Sequence, residues 1–308
     1  MIVPIVTMFP FGRIVLYFVQ GERNALIDTG MNVTPERDIT PVLESLGLSL
    51  ADIHLILNSH GHFDHTGGDH AVKSAGNARI WIHREEATMV SDRKRYLEDF
   101  FAPMVKGVLG EEYLEMDWGN FVQLAGPETS VDGFLEDNDL IDLGGECQLR
   151  VLHLPGHTAG SLGFYWEREG ILFSGDSLPG LHDGSGGLPI LMDLEAYKHS
   201  VKRVSELPVR QILMSHDYRG ISLPPANIRQ GEEVKRHLQD CYEVADRLSE
   251  AISAIPEVSL EEPVIRVYDQ VVARLPERMG FKKLEELPVM ALSAEVILFT
   301  RRRMKQNP

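Results

Sequence analysis

Ser59-His60-Gly61-His62-Phe63-Asp64-His65 is the stretch on which the reading of this chain turns. Four side chains able to hold a metal, His60, His62, Asp64 and His65, fall within six residues. They directly follow His54–Asn58, an apolar run that predicts a buried strand. Side chains two apart on an extended segment share a face, so His60 and His62 point to one side. Asp64 and His65 come after the turn and aim at a second point nearby. That spacing suits two adjacent cations sharing a hydroxide. Gly61 keeps the loop free of bulk between ligands, and Gly67-Gly68 is expected to let the chain turn sharply.

Three further positions extend the set. His157 lies in Leu154-Pro155-Gly156-His157-Thr158, Asp176 in Phe173-Ser174-Gly175-Asp176-Ser177, and His216 in Leu213-Met214-Ser215-His216-Asp217. Each follows a short apolar run, so each is expected at a strand end, where a rigid scaffold holds several side chains around one point. A lone histidine at such a place is usually a surface or core residue, and only the joint pattern makes these ligands. The remaining histidines, at 54, 70, 83, 153, 182, 199 and 237, share no such pattern. His182, just beyond the Asp176 loop, is the one of them placed to approach the site, although an ordinary structural role is the simpler reading.

Ile14–Val19, Ala25–Ile27, Arg79–His83, Gln148–Leu154, Gly163–Trp166, Ile171–Phe173 and Gln211–Met214 also read as short strands. Pro41–Leu46 and Glu195–Leu207 read as helices. Tyr96, Phe100, Met104 and Val108 recur every four residues and predict helices across 92–124. Strands thus alternate with helices to about residue 225, an α/β or α+β pattern. Beyond Pro224-Pro225, Val234, Leu238, Cys241, Ala245, Leu248 and Ile252 mark an amphipathic helix. Residues 226–308 therefore read as a mostly helical appendage or small second domain, and Arg301–Arg303 with Lys305 as a solvated terminus.

Composition narrows the function classes. Of 308 residues, 46 are acidic and 30 basic, a net charge of −16. Such a surface repels phosphate backbones, so no nucleic-acid partner is expected. No apolar run approaches the ~20 residues of a membrane span. Two cysteines, Cys147 and Cys241, exclude a disulfide scaffold and suit a reducing compartment. With no secretory leader pattern, a cytoplasmic location is the expectation.

The order HxHxDH, then His157, Asp176 and His216, with Asp28-Thr29-Gly30 after an upstream strand, resembles the metallo-β-lactamase superfamily over residues 10 to about 220. The resemblance implies an α+β fold, a four-layer αββα sandwich with a C-terminal helical extension and the site at one edge between the sheets. Residues 1–225 would form that domain, with a helical insertion around 92–135, and 226–308 the helical region. His60, His62 and His157 would bind a first metal, and Asp64, His65 and His216 a second, with Asp176 bridging both. Asp28 would support the ligand loops. The ligand chemistry fits two Zn2+, with iron or manganese also compatible. Tyr218 lies two residues beyond His216, and in similar lactonases a tyrosine near the metals polarises the substrate carbonyl. Phe100, Phe101, Met104, Trp118 and Phe121 would line a substrate lid or, equally, pack a helical core.

The implied activity is hydrolysis of a thioester or lactone carbonyl in a small-molecule substrate. A hydroxide shared by the metals would attack, and Asp64 would accept its hydrogen bond. A phosphodiesterase or nuclease of the same fold is the alternative, disfavoured by the net charge. A metal-containing small-molecule sensor is a further one. The tail is expected to wall the substrate pocket or to form a homodimer face.

Overall fold

The computed structural model describes residues 1–9, 12–181, 186–255, 264–286 and 295–306. Twelve strands are described in two six-stranded sheets. The first runs in order β1 (Ile2–Phe9), β2 (Gly12–Val19), β3 (Ala25–Ile27), β4 (Leu55–Leu57), β5 (Arg79–Ile82) and β6 (Gly133–Phe134). The second runs from its far edge as β12 (Ala226–Gln230), β11 (Gln211–Tyr218), β10 (Ile171–Gly175), β9 (Leu162–Trp166), β8 (Gln148–His153) and β7 (Leu140–Asp142). β3 to β6 pair in parallel, as do β10 and β11.

The alternation of side chains across a strand builds the layers. Val15, Tyr17 and Val19 of β2 enter the core between the sheets, while Ile14, Leu16 and Phe18 face the opposite way onto Ile39, Leu43 and Val72. A strand buried on both faces must be apolar at every position, which explains the unbroken IVLYFV run. In β11, Leu213 joins the same inter-sheet core, and Ile212 and Met214 face the helices Leu194–Ser205 and Glu232–Ser253. Tyr17 and Phe173 meet edge to face across the sheets, ring centroids 5.4 Å apart. The result is the αββα sandwich of an α+β fold.

Two places differ from the sequence reading. Part of the expected helical region is sheet: Gly133–Phe134 pairs with β5, and Ala226–Gln230 pairs antiparallel with β11. Neither segment carries an apolar run, because each lies at a sheet edge. The Glu232–Ser253 helix is not a separate module either. Val234, Leu238, Cys241, Ala245, Leu248 and Ile252 share one core with Leu172, Tyr197, Val201 and Met214. The residue 225 boundary therefore cuts between two paired strands and through a common core.

A chain ending at Pro225 should accordingly fail as a soluble protein, since it loses β12 and the helix covering Tyr197 and Val201. Soluble expression and far-ultraviolet circular dichroism check this. A soluble fragment with a cooperative melt would show that the tail is dispensable to the sandwich.

Candidate metal centre

All seven expected ligand positions gather at one rim of the sandwich, past the ends of β4, β8 and β10 and within β11. Asn58–His62 leaves β4, and the four-residue helix Phe63–Thr66 follows. Asp176 lies just past β10, whose pairing with β11 shifts register between Phe173 and Gly175. His216 sits where the β11–β12 register shifts between Leu213 and Tyr218. Such irregularities release a strand from its ladder and re-aim its side chains.

Three sets of donor atoms each fall within 4.8 Å of one another: His60, His62 and His157; His60, His65 and Asp176; and Asp64, His65 and His216. In the first set His157 Nε2 lies 3.2 Å from His60 Nε2 and 3.1 Å from His62 Nδ1. In the last, His65 Nε2 is 3.7 Å and His216 Nε2 3.9 Å from Asp64 Oδ2. Asp176 Oδ2 stands between them, 3.3 Å from His216, 3.4 Å from His65 and 3.7 Å from His157.

The outward nitrogens fix the tautomers. His157 Nδ1 donates to Ile190 O at 2.8 Å, and His216 Nδ1 to Arg13 O at 2.9 Å. His65 Nδ1 donates to Asp28 Oδ2 at 2.8 Å. Ser59 Oγ donates to Asp28 Oδ2 at 2.8 Å and so accepts from His60 Nδ1 at 3.1 Å. Four Nε2 lone pairs are thereby turned inward. Lone pairs facing one another repel unless a cation lies among them. His65 Nε2 and Asp176 Oδ1 are buried with no hydrogen-bond partner. The residues fit a centre for divalent cations held by nitrogen and oxygen.

Electrostatics divide the site. Burial and then neighbouring imidazoles hold His60 and His62 well below the usual histidine range, in the neutral form that binds metals. Burial also lowers His157. Around Asp64 the balance reverses: burial opposes it, but Asp176, Asp64 and Asp28 carry His65 well above its usual value. His216 rises against burial because of Asp176. Burial is likewise outweighed at Asp176, which His216 and His65 hold well below the carboxylate range.

Asp28 supports the loops as expected. It accepts from Ser59 N at 2.7 Å as well as from Ser59 Oγ and His65, and its φ of 60° is a left-handed conformation rare outside glycine. Gly67 and Gly68 serve differently from the expectation. Both have ordinary right-handed conformations, φ −63° and −85°. Their lack of a side chain admits Leu124 and Asn32 backbone against Gly67, and Pro35 and Thr29 O against Gly68.

Supports that the sequence did not disclose lie behind the loops. Glu86, 1 % exposed, accepts from Gly61 N at 2.9 Å and Gly160 N at 2.7 Å, tying the His60–His62 loop to the His157 loop. Arg93 donates to Thr66 O and Thr66 Oγ1, both at 3.1 Å, and closes the ligand helix. Asp69 accepts from Thr29 Oγ1 and Asn58 Nδ2, each at 2.7 Å, and burial pushes its carboxyl up to about 7. His237 Nε2 donates to Leu178 O at 3.0 Å, so the Glu232–Ser253 helix holds the loop after Asp176. No residue pattern around any of them marks that role in the sequence.

Tyr218 packs its ring against His216, centroids 5.7 Å apart. Phe101, Met104 and Phe121 form one buried cluster with Phe63, Tyr96 and Leu97, and Phe100 packs against it. These expected lid residues thus rest on Phe63, the neighbour of His62. The Trp118 side chain, His182 and the side chains of Arg301–Arg303 and Lys305 lie outside the described residues.

Residues 10–216 match the family model described as the metallo-beta-lactamase superfamily. The hydroxyacylglutathione hydrolase of Methylococcus capsulatus is 26% identical over 262 residues, 82% of this chain and 82% of that protein. The human acyl-coenzyme A thioesterase MBLAC2 is 28% identical over 194 residues, 55% of this chain and 59% of that protein. Among solved structures, a metallo-beta-lactamase family protein from Thermus thermophilus superposes with TM-score 0.66 at 21% identity, covering 99% of this chain and 93% of the other. A superfamily protein from Sulfolobus tokodaii gives TM-score 0.57 at 18% identity, covering 98% of both chains. These structures share the fold.

Replacing Glu86 by Gln sets an amide N–H against one of the two backbone N–H donors. Stability should fall by ~1–3 kcal/mol, the cost of a buried unsatisfied group, whereas Glu85→Gln at its exposed neighbour should change little. Thermal melts of the two variants compare them directly, and equal melting temperatures would remove Glu86 from the support of the loops.

Proposed function

The chain belongs to the metallo-beta-lactamase superfamily, and from that premise we propose that this hydrolase cleaves thioesters, with lactones as the related second class. The observation that carries the reading is the inward turning of four imidazole Nε2 atoms, each with its other nitrogen already engaged. His60, His62 and His157 would hold one cation and Asp64, His65 and His216 a second, with Asp176 between them. Two zinc ions bound there would polarise a carbonyl oxygen and supply a strong oxygen nucleophile near neutral pH.

The protein's own groups define the rest of the chemistry. Both cysteines are buried, and burial pushes the Cys241 thiol up to about 12, so neither serves as a nucleophile and the attacking oxygen comes from solvent. Asp64 is the accessible carboxylate, its side chain 20 % exposed against 6 % for Asp176 and 1 % for Asp28. It is placed to orient the attacking water and take its proton. Asp28 and Ser59 keep His65 and His60 aimed inward throughout. Tyr218, whose ring meets that of His216 edge to face, is assigned to the carbonyl oxygen side.

A thioester needs little help at its leaving group, because a thiolate departs without prior protonation. That suits a site whose histidines are all committed. The glutathione-thioester and coenzyme A-thioester hydrolases among its relatives support this bond class, and the charge of −16 disfavours a nucleic-acid phosphodiester.

Zinc-reconstituted protein should carry about two ions per chain by elemental analysis, since the ligands exceed what one tetrahedral site uses. His60→Ala should lose one ion preferentially. Acyl thioesters should be hydrolysed, and Asp64→Ala should lower kcat by roughly a hundredfold or more. Protein that binds no zinc, or that cleaves bis(p-nitrophenyl) phosphate but neither thioesters nor lactones, would overturn the assignment.

A further inference from the structure

The helix Glu295–Gln306 opens on a residue for which the metal centre has no use. Glu295 is 1 % exposed, and its Oε1 has no hydrogen-bond partner. Burial alone pushes its carboxyl up to about 8, with no described cation to offset it. Val296, Ile297 and Leu298 enter the core over the second sheet, whereas Phe299 packs on the cluster of Phe63, Tyr96 and Phe101. Glu295 therefore stands where two apolar masses meet. That cluster includes Phe63, the residue next to His62, so the helix that carries Glu295 is packed on a group bordering the ligand loop.

Packing gives no reason for an acid here. A bare carboxyl among apolar groups is costly, and buried polar atoms almost always find partners. A leucine would fill the place without that cost. An unmet acceptor on a helix packed against that cluster is what a site looks like when its donor arrives with the ligand.

We propose that Glu295 is a specificity residue of the substrate pocket, accepting a hydrogen bond from an N–H of the substrate at a distance from the bond that is cleaved. The proposal rests on the thioester reading above for the identity of that bond. The donor is a secondary amide or an ammonium group, carried by either the acyl chain or the thiol. Apolar substrates lacking an N–H leave Glu295 unmet and bind more weakly, whatever their fit to the aromatic cluster.

The test compares hexanoyl thioesters of N-acetylcysteamine and of pentanethiol, which have the same chain length with and without the amide. 6-Aminohexanoyl pentanethiol ester adds the ammonium arm. Wild-type protein should favour at least one N–H-bearing ester over hexanoyl pentanethiol ester by on the order of tenfold in kcat/KM. Glu295→Leu should erase the preference through KM, with kcat for the pentanethiol ester unchanged, and Glu295→Gln should keep part of it. The arm that responds identifies which part of the substrate meets the carboxyl. Equal loss on all three esters, or a raised melting temperature with the preference intact, would overturn the proposal. If no thioester or lactone is turned over, the functional reading fails separately. Hexanamide and hexylamine are then compared by thermal shift with methyl pentyl ether, which has no donor. Stabilisation by either nitrogen ligand in wild type but not in Glu295→Leu upholds the assignment, and its absence ends it.

Discussion

Five imidazoles and two carboxylates crowd one rim of this protein, and four of the imidazoles have their outward nitrogens already engaged. The decisive anchor is Asp28. Its carboxylate takes the Ser59 backbone N–H, the Ser59 hydroxyl and the His65 ring, and through Ser59 it also orients His60. A histidine free to rotate would turn its lone pair away from its neighbours and toward water. Held from behind, it must present that lone pair inward, and the accumulated repulsion is what a cation relieves. The left-handed backbone at Asp28 is part of the same arrangement, since it bends the carboxylate back beneath the ligand loop.

The two sheets contribute unequally to this rim. The first supplies the His60–His65 segment, and the second supplies His157, Asp176 and His216. Their alignment is fixed near the site by polar ties across the sandwich. His216 donates to Arg13 O, Arg13 clasps Asp217, and Tyr17 Oη donates to Met214 O while accepting from Asn227. Glu86 ties the remaining pair of loops. Both ladder irregularities occur beside Asp176 and His216, where regular pairing would have kept the side chains in the sheet.

The ligands were legible in sequence because metal binding demands particular residue types at fixed spacings, and the strands because burial on two faces demands apolar runs such as IVLYFV. What stayed hidden follows from tertiary contact. Glu85 and Glu86 are adjacent acids, yet one is exposed and the other buried against Gly61 and Gly160, and nothing local separates them. The edge strands Gly133–Phe134 and Ala226–Gln230 lack apolar alternation because they are covered on few sides. The tail read as an appendage because amphipathy shows that a helix has a partner without showing which. Gly67-Gly68 was recognised as a place for glycine, but its reason is the closeness of backbone at Thr29, Asn32 and Leu124, from two other segments, which no sequence pattern records.

Because Arg93 reaches from the helical insertion to the last carbonyl of the Phe63–Thr66 ligand helix, the insertion is bolted to the centre at one end. Phe63 and Phe121 fasten it again further along. The insertion is therefore held at two points on the ligand helix itself. A change at the partly buried Phe100 would leave those two attachments in place, whereas a change at Phe101, which meets Phe63 edge to face, would be felt at the ligand helix, so tolerance to substitution is divided between adjacent positions of a single stretch of chain.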